Sequence, residues 1–162
     1  MLPTPTSAAK CLNSLLRFEL AVVRCYRFAE QLLGDHPDRA ALARMRAAHE
    51  AAAADLTAHI AAHGQSPSHD PGLWGSLISL AETSAVVFGR HAILTVLLWA
   101  EQHARDTYRA ARREWAAQPG DPGPILEPLA PAAGRHVAAL EAMLPRHKAA
   151  PADACASEPV GV

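Results

Sequence analysis

Apolar residues recur three and four positions apart along most of the chain, the spacing of one face of an α-helix. The first such stripe is Leu12, Leu15, Leu16, Glu19, Val22, Val23, Tyr26, Ala29 and Leu33, which predicts a helix from about Cys11 or Leu12 to Leu33. Gly34 is a natural stop. Asp35-His36-Pro37 reads as a turn, with Pro37 or Asp38 opening the next helix. That second helix is predicted over 38–63, with Leu42, Met45, His49, Ala52, Leu56 and His59 or Ile60 inward and Gly64 at its end. The polar stretch 65–72 reads as a turn region. A shorter helix is predicted from Leu73 to Phe88, interrupted at Gly89. A main third helix follows from Arg90 to Ala117, with Leu94, Leu97, Leu98, Glu101, Arg105, Tyr108 and Trp115 on its stripe. Pro and Gly break the pattern over 118–124. The last helix is predicted from Ile125 to Arg146, with Leu126, Leu129, Ala133, His136, Leu140 and Met143 inward. Pro131 lies in its first turns, where proline kinks or delays a helix.

Helices of this length suit a four-helix bundle. Short links join the first helix to the second and the third to the fourth. The connection between the second and third is long enough to return along the bundle, and 73–88 would carry it. That is a bundle with one long crossover connection. The alternative is an up-down bundle with one continuous helix over 73–117. Residues 1–10, with Pro3 and Pro5, are expected to form a disordered arm and 148–162 a disordered tail. The bundle is then 11–147.

The length, 162 residues, indicates one domain. Alanine makes up roughly a fifth of the chain, far above ordinary usage, and aromatics only 5%. This argues against a β-sandwich or barrel and for helices packed through small side chains. The net charge of −1 provides no basic field for nucleic acid and leaves self-association unopposed. A homodimer is expected, with Leu73, Trp74, Leu77, Ile78 and Leu80 as a contact patch. The uncharged apolar run from Ala92 to Ala100 is too short to span a bilayer. No secretory signal is visible at the start of the chain. Cys11, Cys25 and Cys155 are odd in number and make no disulfide framework; a reducing cytoplasm is expected.

Two segments of the chain repeat. Aligning Glu19 with Glu101 places Leu15-Leu16 on Leu97-Leu98, Tyr26 on Tyr108, Arg27 on Arg109 and Ala29 on Ala111. Each segment is followed by a helix with a histidine at mid-length on its apolar stripe, His49 and His136. The pattern predicts two helical hairpins related by a pseudo-twofold axis. Glu19 and His49 lie roughly 21 and 18 Å from their shared turn, and Glu101 and His136 roughly 24 and 18 Å from theirs. The four side chains therefore fall near one level, one from each helix. Charged groups on an apolar stripe are costly unless paired or metal-bound. Two carboxylates and two imidazoles suit iron, manganese or zinc. They equally suit Glu–His hydrogen-bonded pairs that stabilise a core.

The chain resembles the ferritin-like superfamily, and more closely a bacterial family of small ferritin-like four-helix-bundle proteins. The resemblance is carried by Leu12-Asn13-Ser14-Leu15-Leu16-Arg17 with Glu19 and Tyr26, by His49-Glu50 and Gly72-Leu73-Trp74-Gly75, and by Phe88-Gly89, Glu101-Gln102-His103, Tyr108 and His136. It covers residues 11–147. It implies a metal centre, iron foremost, with Glu19, His49, Glu101 and His136 as ligands and Tyr26 and Tyr108 as outer donors, and a link to iron or oxidative-stress handling. Ferritin-like di-iron proteins place Glu-x-x-His on two of their helices. Here Arg46 and Ala133 stand three residues before His49 and His136. Both bridging glutamates are absent, so the resemblance implies at most a degenerate site. The alternative is a non-catalytic structural or interaction bundle that has lost the metal.

Other clusters read more simply. His59 and His63 have the i, i+4 spacing of a chelating pair, but at a helix end they favour the dipole. His103 points away from Glu101. Arg109, Arg112, Arg113 and Glu114 read as an exposed charged face, and Cys25 as a small buried hydrophobe. No Gly-rich phosphate loop, Ser/His/Asp array or paired-cysteine motif is present.

Overall fold

A computed structural model describes residues 7–116 and 122–147. Among these residues every regular element is helical and there is no strand. The α-helices are α1 (Ser7–Leu33), α2 (Arg39–Ala62), α3 (Gly75–Trp115), α4 (Gly123–Leu126) and α5 (Leu129–Met143). Short 3₁₀ turns, Gly72–Trp74 and Leu144–His147, precede α3 and follow α5. The expected tail, most of the expected arm and Ala117 lie outside the described residues.

The stripe read for α1 is buried along its whole length, from Leu12 to Leu33. Helix α1 begins earlier than expected. Residues 7–10 are helical, not a disordered arm; Ala8 and Ala9 have the highest helix propensity and no proline stands between Pro5 and Pro37. Helix α2 matches its prediction to within a residue at each end and buries Leu42, Met45, His49, Ala52, Leu56 and Ile60. It closes with a Schellman motif. Gly64, at φ +68°, lets its own N–H reach the Ala61 carbonyl and the Gln65 N–H reach that of Ile60. The loop that follows is strapped to α1. The Asn13 side chain donates to the Ser66 carbonyl at 3.2 Å and accepts from the Ser68 N–H at 2.8 Å, and Arg17 Nε donates to Ser68 Oγ at 3.0 Å.

Helix α3 is two arms meeting at Gly89, whose φ of 69° and ψ of −154° are non-helical. The alternative of one continuous helix does not hold. The segment Gly72–Thr83 is inclined at 116° to the segment Ala85–Trp115, which contains Gly89. The crossover arm, 75–88, buries Leu77, Ala81 and Ala85, while the main arm, 90–115, buries Ile93, Leu94, Leu97, Ala100, Glu101, Ala104, Tyr108, Ala111 and Trp115.

The last predicted helix is divided. Pro128 has no N–H to offer the preceding turn, so α4 ends at Leu126 and α5 starts afresh at Leu129 with Pro128 as its N-cap residue. Pro145 then tightens the end into a 3₁₀ turn. Helix α1 packs along α2 and along α3, and α3 packs along α5. Helix α2 meets α4 and α5 only lightly, so the ring of long helices is thinnest there.

Candidate functional site

Glu19 from α1, His49 from α2, Glu101 from α3 and His136 from α5 converge at mid-length of the helical core. Each sits on the apolar face of its helix because the stripe that drives burial carries it there. Glu19, His49 and Glu101 are buried and His136 is partly so. His49 is the hub: Nδ1 donates to Glu19 Oε2 at 2.7 Å and Nε2 donates to Glu101 Oε1 at 2.8 Å. Glu101 Oε1 also accepts from His136 Nδ1 at 3.1 Å and from the Tyr26 hydroxyl at 2.5 Å. Tyr26 lies 3.5 Å from Met45 Sδ as well, and its ring stacks on His49.

The electrostatics follow from that geometry. Burial alone would strip the proton from His49, but the Glu19 charge and the hydrogen bonds to both carboxylates outweigh it and raise its pKa to about 10. Burial alone would raise the Glu101 carboxyl; hydrogen bonds from His136 and His49 outweigh it and hold it down to about 2. Tyr26 is pushed well above the ordinary tyrosine value by burial, then by the Glu101 charge. His49 is therefore an imidazolium clamped between two carboxylates.

The pseudo-twofold is broken at the level of atoms. Tyr26 reaches the glutamate of the other hairpin, yet its repeat mate Tyr108 is buried with a hydroxyl that has no hydrogen-bond partner among the described residues. Glu19 Oε1 and Glu101 Oε2 are buried and equally without partner. Buried polar atoms are rarely left so.

At the two positions of the missing glutamates, Arg46 turns outward to Glu30 at 2.6 Å and Glu50 at 2.8 Å, and Ala133 is buried. Glu50 is thereby engaged with Arg46 and Arg27 rather than with the centre. His103 stays away from the centre, as expected, within an aromatic group of Phe18, Trp74 and Trp99. His59 and His63 lie at the helix end with ring centroids 4.2 Å apart, and His63 Nδ1 donates to the His59 carbonyl.

The sequence offers no sign of a second polar group, in which His36, Asp38 and His147 meet. His147 is separated from Asp38 by 109 positions, so no spacing rule could join them.

The chain matches no family model, no curated protein and no solved structure.

Proposed function

We propose that this chain is a ferritin-like four-helix bundle that binds one metal ion at its centre through Glu19, His49, Glu101 and His136. The observation that carries this reading is the convergence of ligand atoms from three helices. One atom each of His49, Glu101 and His136 lies within 4.8 Å of the others. Neighbouring donors bound at about 2.1 Å to an octahedral ion sit roughly 3 Å apart, and the spacings of 2.8 and 3.1 Å around Glu101 Oε1 are close to that. The partnerless Glu19 Oε1 and Glu101 Oε2 are two further acceptors that a cation would satisfy. A set of histidine nitrogens and carboxylate oxygens favours iron, with manganese or zinc as alternatives.

Each side chain has a task. Glu19 holds the Nδ1 proton of His49 and so directs Nε2 at the centre, the usual carboxylate–histidine arrangement behind a metal. Binding requires that Nε2 give up its proton. Tyr26 orients the Glu101 carboxylate, and Tyr108 has a hydroxyl to offer. With Arg46 turned away and Ala133 lacking a donor, the ligand set suits one ion rather than two. Bound iron would supply one-electron redox chemistry, which is the basis of the proposed link to iron or oxidative-stress handling. The free thiols of Cys11 and Cys25 support a reducing, cytoplasmic setting. The partner is a second copy of the chain. Of the expected contact patch Leu73 and Leu80 stand exposed, whereas Leu77 is buried in the core and cannot take part; Val86, Val87 and Phe88 are exposed further along the crossover arm, and a net charge of −1 offers little repulsion.

One observation favours the alternative, a non-catalytic structural bundle. His49 is bonded at both nitrogens, so the centre holds together as an ion network without a metal. Elemental analysis of the purified chain separates the two. Stoichiometric iron, manganese or zinc that is lost in Glu101→Gln and His136→Ala supports the metal centre. A metal-free chain whose stability is unmoved by chelator or by added metal supports the structural bundle.

A further inference from the structure

We propose that His36, Asp38 and His147 form a separate zinc site that clasps the 3₁₀ turn after α5 to the turn between α1 and α2. The three residues are remote along the chain, and their ligand atoms lie within 4.8 Å of one another. His147 Nε2 is 3.0 Å from Asp38 Oδ2, and His36 Nδ1 is 3.7 Å from the same oxygen. A tetrahedral zinc with bonds of about 2.1 Å holds its donors roughly 3.4 Å apart, a value those two distances bracket. The two imidazole rings already lie close, with centroids 4.3 Å apart and planes inclined at 53°. His36 Nδ1 accepts the Asp38 N–H at 3.2 Å, so that nitrogen is unprotonated, and zinc would take over its lone pair by displacing this long hydrogen bond.

The surroundings fit such a site. The His147 side chain is 3% exposed and the Asp38 side chain 12%, so two ligands are held by packing while His36, at 26%, leaves an approach from solvent. Arg146 grips both Asp38 oxygens, Nη2 donating to Oδ1 at 2.8 Å and Nε to Oδ2 at 3.3 Å, which fixes the carboxylate beside the two histidines as an outer partner fixes a ligand; zinc would take Oδ2 from the longer of the two contacts. Two imidazoles and one carboxylate leave a fourth position for water, the composition of an open zinc site. Zinc entry would break the His147 Nε2–H bond to Asp38 and release that proton. The Arg146 charge and the positive end of α2 oppose a cation, so the site is an exchangeable one rather than a condition for folding. It secures the α2–α5 side, where the long helices touch least.

The test is calorimetric titration of the full chain, first freed of metal by chelator, with zinc chloride. His36→Gln and His147→Gln are each expected to lose one zinc equivalent or to bind it at least about tenfold more weakly. His136→Gln, which alters only the central site, is expected to keep that equivalent. Zinc is also expected to slow amide hydrogen exchange over 144–147. Equal zinc binding by the parent chain and His36→Gln overturns the proposal, as does a parent chain whose whole zinc uptake disappears in His136→Gln. His36 lies in a solvent-facing turn, so His36→Gln decides the matter even where His147→Gln fails to fold.

Discussion

A single oxygen, Glu101 Oε1, collects three donors while Glu101 Oε2 has none among the described residues. That imbalance makes the central cluster sensitive to protonation. His49 has a raised folded-state pKa, about 10 against an ordinary 6.5. Its contribution to stability is complete below pH 6.5 and is lost as pH rises through 10. Glu101 has a depressed value, about 2 against 4.5. Its contribution is complete above pH 4.5 and is lost as pH falls through 2. The metal-free chain is therefore expected to show its broadest stability between pH 4.5 and 6.5 in urea melts, with a decline on the alkaline side between 6.5 and 10. His49→Gln should flatten that alkaline decline. An alkaline arm identical in the two chains would show that His49 is not held as an imidazolium.

Among the elements, the bend in α3 decides which surfaces the chain shows. Gly89 takes a backbone conformation almost confined to glycine. A methyl group added there meets nothing within 4 Å, so the cost of Gly89→Ala is backbone strain alone, about 1–3 kcal/mol. Urea denaturation monitored by circular dichroism should show that loss. A variant as stable as the parent would mean the two arms do not meet at this angle in solution. The glycine and the break were legible beforehand from Phe88-Gly89 interrupting the stripe. The division of the last helix was not. Pro131 drew attention as the kink, whereas Pro128 makes the break, because the proline that removes an N–H from an established turn ends the helix before the later one is reached.

For the whole molecule, the exposed row on the crossover arm is the feature that packing within one chain leaves unexplained. Val86 is 84% exposed, Val87 63% and Phe88 73%, and neighbouring apolar groups of this kind mark contact surfaces. If a second copy covers them, sedimentation should give a dimer for the parent chain and a monomer for Val87→Glu, with the helical signal unchanged since the side chain is exposed. A parent chain that stays monomeric at high concentration would rule that surface out as a dimer contact. Zinc added to either form should act at the His36–Asp38–His147 clasp regardless, since the clasp lies within one chain.

Residue periodicity alone determined the helical class, the inward faces and the level at which Glu19, His49, Glu101 and His136 stand, because a 3.6-residue repeat assigns direction and depth from local spacing. Even the Leu-Asn-x-Leu-Leu-Arg opening had its physical use in the chain's own order: Asn13 and Arg17 hold the long connection that starts fifty positions later. Tertiary structure alone decided which oxygen each donor chose, why Tyr26 is bonded and Tyr108 is not, and that His147 returns to Asp38. Those outcomes depend on distances of a few ångströms between helices that are remote along the chain. A repeat in sequence prescribes matching positions but not the partner each atom finds: the Tyr26 hydroxyl meets Glu101 and Met45, while no described residue meets that of Tyr108.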